Sequence, residues 1–63
     1  MVNLMLVRRK AGMTQEQLAD KLHVSRMSVI RWEKGNAYPS IATLLKLSEM
    51  FEVSVDYLLG KEK

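Results

Sequence analysis

An all-α domain of five short helices is what this sequence predicts, and three observations carry it. Serine or threonine stands immediately ahead of a helix-like run at four places, Thr14, Ser25, Ser40 and Ser54, which is where helix N-caps are expected. No stretch sustains the period-two alternation of a half-buried strand. The composition is 48% hydrophobic with three Gly and one Pro, which suits a compact helical domain and argues against disorder. At 63 residues there is room for one domain. We assign residues 1–60 to it and residues 61–63 to a short charged tail.

The first helix is expected over residues 3–11. Leu4, Val7 and Ala11 share one face, Arg8-Arg9-Lys10 place cations at the negative end of the helix dipole, and Gly12 supplies a stop. The second covers residues 15–22. Thr14 is its cap and Gln17, three residues on, completes a capping box; Leu18, Ala19 and Leu22 make the buried stripe. The third covers residues 26–34, capped by Ser25 and ended by Gly35, with Val29 and Trp32 facing inward together. Pro39 pushes Tyr38 out of the helical region. Ser40 then starts a fourth helix over residues 41–52, with Ile41, Leu44, Leu45, Leu47 and Phe51 as its apolar positions. The fifth, residues 55–59, is anchored by Leu58 and Leu59 and ended by Gly60.

The link between the second and third helices decides the architecture. Only residues 23–25 separate them, so the chain must turn sharply and both helices must share one core. That is a helix-turn-helix unit. Its second helix can stand proud of the body and enter a major groove about 12 Å wide. The free amides at the starts of both helices suit phosphate oxygens. His23 lies at this turn. There is no cysteine and no second histidine, so neither a metal site nor a catalytic base is expected there. His23 stands where an ordinary tight turn would want glycine and is instead read as a turn residue, His being among the non-glycine types enriched in the left-handed region.

Charge points the same way. Residues 1–34 carry seven Lys/Arg against three Asp/Glu, whereas residues 35–63 carry three against four. The positive half contains the two-helix unit, and a one-sided basic surface favours a polyanion. No nucleophile–base arrangement, paired carboxylates, Gly-rich phosphate loop or metal spacing appears, so no enzyme, cofactor or metal is expected. The longest apolar run, Leu4 to Val7, is far short of the roughly 18–20 residues that cross a bilayer. A cytoplasmic protein without a signal peptide is the expectation.

The combination of "TQEQLA", "VSRMSVIRWEKG", "PS…TLLKLSE" and "VSVDYLL" resembles the phage-repressor/Cro type of helix-turn-helix domain, the xenobiotic-response-element family of transcriptional regulators. The likeness runs over residues 4–59. It implies a lambda-repressor-like five-helix fold that binds double-stranded DNA as a homodimer on a two-fold-symmetric operator, with bacterial or phage origin. By the same resemblance, Arg26, Met27, Ser28 and Arg31 face the bases. Arginine would take guanine, and Met27 a thymine methyl. Thr14 and Gln15 approach phosphate or an outer base, and Lys34, Asn36 and Tyr38 touch the backbone. Arg8 and Glu33 form a linked pair holding the recognition helix while aiming the guanidinium at phosphate. Residues 51–57 supply the dimer contact. A small repressor is the leading function. A protein-interaction module, such as an antitoxin or adaptor, is the alternative. The apolar start of the first helix, with Met5 and Leu6 at sites commonly charged in the family, and residues 50–53 are its candidate surface. Ile30 also departs from the pattern, at a site usually polar.

Overall fold

The computed structural model describes residues 1–60, and the tail 61–63 lies outside them. Five helices follow in order: α1 (Val2–Lys10), α2 (Gln15–Leu22), α3 (Arg26–Lys34), α4 (Ile41–Phe51) and α5 (Val55–Leu58). No strand occurs among the described residues.

Local signals account for the ends of the two central helices. Thr14 accepts a hydrogen bond from the Gln17 amide while the Gln17 side chain accepts from the Thr14 amide, so the capping box closes. Ser25 caps α3 by accepting from the Ser28 amide. At the turn His23 takes φ 57° and ψ 42°, the left-handed conformation expected of it. Gly35 ends α3 with φ 84°, where any L side chain would be strained.

The core gathers Leu4 from α1, Leu18, Ala19 and Leu22 from α2, Val29 and Trp32 from α3, Leu47 from α4 and Leu58 from α5. Ala19, 1% exposed, is the small member of the buried α2 stripe with Leu18 and Leu22, and its size leaves room for a neighbouring helix. α2 and α3 form the tightest pair, α1 packs on α3 and α5, and α4 packs on α5. Asn3 ties α1 to α5 by donating from its side-chain amide to the Tyr57 carbonyl at 2.7 Å. The Met1 ammonium donates to the Trp32 carbonyl, also at 2.7 Å, in the last turn of α3, where the same carbonyl accepts from the Gly35 amide at 3.2 Å.

Several expectations need correction. Ala11 lies beyond the end of α1 and is exposed, so the inward face of α1 is Leu4 and Val7. On α4 the inward residues are Leu44, Leu47 and Phe51, while Ile41 and Leu45 are 77% and 54% exposed. α4 stops at Phe51 because Glu52 turns left-handed, φ 54°. Leu59 caps α5 and is only half-buried. Met5 is half-buried, whereas Leu6 is exposed.

Candidate nucleic-acid interface

α3 has two faces of opposite chemistry. With about 100° between successive residues, Val29, Trp32 and Glu33 fall on one side, and Met27, Arg31 and Lys34 on the other. Val29 and Trp32 are buried in the core. Arg26, Met27, Arg31 and Lys34 are exposed. The only ion pair among the described residues joins Arg8 and Glu33, so the three cations of α3 have no carboxylate partner there.

That pair anchors the inner face. Arg8 Nε donates to Glu33 Oε2 at 2.6 Å and Nη2 donates to Oε1 at 3.1 Å. The third nitrogen, Nη1, donates to the Met13 carbonyl at 2.8 Å. The two side chains are 9% and 5% exposed. The Arg8 guanidinium is thus engaged inside the molecule at every nitrogen, a bidentate charge-assisted arrangement of the strong kind. Glu33 Oε1 also accepts from Gln15 Nε2 at 3.1 Å. One carboxylate therefore clamps α1, the start of α2 and the end of α3. Neither the Gln15 bond nor the Met13 bond is signalled by spacing, because each depends on how separate helices pack.

Around this clamp lie the other residues singled out from sequence. Thr14 is exposed with its hydroxyl occupied in capping, and Gln15 is half-buried. Ser28 is half-buried, its hydroxyl 3.0 Å from that of Ser25. Asn36 is exposed, and its amide donates to the Arg31 carbonyl at 3.0 Å. Tyr38 is exposed on the loop after α3. Ile30 is half-buried at the edge of the outer face. A groove of about 530 Å³ lies where the end of α1 meets the starts of α2 and α3, lined by Arg8, Arg9, Met13, Thr14, Gln15, Glu16 and Arg26. Arg9 was not among the residues singled out. Its membership in a basic run at a helix end reads as dipole compensation, and only the tertiary fold, which sets the end of α1 near the starts of α2 and α3, brings it to this groove.

This geometry is that of a helix-turn-helix unit with a polar, cationic outer helix face. The helix-turn-helix family model matches residues 4–58. The chain belongs to the helix-turn-helix family, in its phage-repressor/Cro type. Three relatives illustrate its range. The HTH-type transcriptional activator BcrR of Enterococcus faecalis is 42% identical over 60 residues, covering 95% of this chain and 29% of the relative. The HTH-type transcriptional regulator ImmR of Bacillus subtilis is 45% identical over 56 residues, covering 89% and 44%. The cryptic phage CTXphi transcriptional repressor RstR of Vibrio cholerae is 33% identical over 54 residues, covering 86% and 48%. The chain thus spans less than half the length of each of these three. Their names are those of regulators, not of enzymes. Among the described residues no helix is long and apolar enough to cross a membrane.

Proposed function

We propose that the chain binds double-stranded DNA sequence-specifically and acts as a transcriptional repressor, with α3 in the major groove. The observation that carries this reading is the outer face of α3. Met27, Arg31 and Lys34 stand exposed there, with Arg26 exposed at the helix start, on a helix whose other side is locked by Val29, Trp32 and Glu33. Unpaired cations on a rigid helix suit a polyanion better than a protein partner, whose interface cores are depleted of charge. Arg31 and Arg26 address guanine O6 and N7, Met27 and Ser28 address neighbouring base edges, and Thr14, Gln15, Lys34, Asn36 and Tyr38 hold the backbone and fix register.

A single such helix spans only a few base pairs, so the reading includes a homodimer on an inverted repeat. Its half-sites lie about one helical turn, roughly 34–36 Å, apart. The dimer contact is assigned to residues 51–57, where Val53 and Val55 are only half-buried. The name of RstR supports repression and that of BcrR the opposite sign, so sign needs its own measurement.

Selection of bound duplexes from a random library tests the whole reading. A two-fold-symmetric consensus whose affinity falls steeply with salt is expected. Equal binding to all duplexes overturns it. A reporter placed behind the selected site then gives the sign, and repression lowers its output.

A further inference from the structure

Sulfur in this chain is confined to five methionines, because there is no cysteine. The five differ in access. Met1 and Met13 are half-buried and pack against the core, and Met5 is half-buried on α1. Met50 is 38% exposed and Met27 is 52% exposed. The most accessible thioether therefore stands on α3, nearly opposite Val29 and Trp32 on the helix circle. It shares the outer face with Arg31 and Lys34, both exposed and both without a carboxylate partner among the described residues.

Oxidation changes what this face presents. The sulfur lone pair attacks one oxygen of a hydroperoxide, an S–O bond forms and the O–O bond breaks. The proton of the transferred oxygen passes to the other oxygen, which leaves as water or an alcohol. The sulfur loses two electrons and the peroxide gains them. The product is methionine sulfoxide, in which a flexible apolar group has become polar. A thioether is at best a weak acceptor, whereas the sulfoxide oxygen is a strong one. Arg31 lies four residues on, and residues so spaced are side-chain neighbours on a helix. The new oxygen thus competes for guanidinium donors that are otherwise left for an outside acceptor. It also sets a negative dipole against any polyanion that approaches the face.

Resting on the DNA-binding reading above, we infer that Met27 is an oxidation site that switches this face. In the free chain a hydroperoxide converts Met27 to the sulfoxide ahead of the other methionines, DNA binding weakens, and reduction of the sulfoxide restores it. Bound DNA covers Met27, so the switch acts on the unbound chain.

The test uses the full 63-residue chain and a duplex returned by selection. Hydrogen peroxide is added in small steps, and peptide masses give the extent of oxidation at each methionine. Met27 should convert first, and excess duplex should slow its conversion. With Met27 converted, affinity should fall at least about 5-fold, the lower end of what one specific base contact contributes, with the thermal midpoint kept. Methionine sulfoxide reductases should return the affinity. Met27→Leu, compared with itself before and after the same treatment, should show no change, whereas Met50→Leu should lose affinity as the wild type does. Four results each overturn the inference alone: another methionine converting ahead of Met27, a bound duplex that leaves the Met27 rate unchanged, full conversion without loss of affinity, or the same loss in Met27→Leu. A selection that returns no preferred duplex overturns the DNA reading and this inference with it.

Discussion

Arg8 and Arg31 carry the same side chain and put it to opposite use. Arg8 is buried, with every nitrogen bonded to Glu33 or to the Met13 carbonyl. Arg31 is exposed on the far side of α3, with no carboxylate partner among the described residues. A buried guanidinium must be matched or it destabilises the fold. An exposed one keeps its donors free for an outside acceptor. The contrast extends to the whole helix, since the inner face of α3 is a structural part and the outer face is a surface held ready. Substitutions on the two faces should therefore fail in different assays.

The largest effect is expected at the clamp. Glu33→Ala leaves the Arg8 charge buried without its partner and removes the acceptor of Gln15. Breaking one side of a buried ion pair costs about 3–5 kcal/mol. In urea unfolding this should appear as a large fall in midpoint, and a chain this small has little stability to spare. An unchanged midpoint would mean that the clamp carries no structural weight.

The opposite signature is expected at Arg31→Ala. Its unfolding midpoint should stay within about 0.5 kcal/mol of the wild type, as surface substitutions do. Binding to the selected duplex should fall by about 1–3 kcal/mol, with preference relaxed at one symmetric pair of positions. A uniform loss on all duplexes would assign Arg31 to phosphate instead.

Thr14 sits between these extremes, because its hydroxyl belongs to the capping box and its position faces the groove. Thr14→Ala should cost about 1 kcal/mol in unfolding through the lost cap. Thr14→Ser keeps the cap and should restore the midpoint. Failure of serine to restore it would show that the threonine methyl, not the cap, carries the effect.

Sequence made the helix starts legible because caps are local. Thr14, Ser25, Ser40 and Ser54 each act on an amide three residues away, well inside the reach of pattern reading. The buried stripes of α2 and α3 were legible for the same reason. What escaped depends on contacts across the fold. Five apolar positions on α4 offer more than one stripe, and only packing selects Leu44, Leu47 and Phe51 while leaving Ile41 and Leu45 outside. The shared use of Glu33 by Arg8 and Gln15 joins residues 25 and 18 positions apart. Arg9 reaches the groove by the same kind of tertiary accident. Glu52 in a left-handed cap has no local signature at all, unlike His23, which the shortness of its turn exposes.

His23 gives the smallest effect and the sharpest test of that last difference. Its φ of 57° places an L side chain in the left-handed region, which costs roughly 1–2 kcal/mol. The side chain is exposed, so little packing offsets this. Glycine removes the strain but loses about 0.5–1 kcal/mol through its greater freedom in the unfolded chain. His23→Gly should therefore stabilise the fold by up to about 1 kcal/mol, read as a higher unfolding midpoint. The turn also sets the angle at which α3 leaves the body, so DNA affinity separates two roles for the residue. A gain in midpoint with unchanged affinity makes His23 a tolerated turn residue. A gain in midpoint with weaker binding means that the imidazole itself contributes at the interface, beside Arg26 and the start of α3.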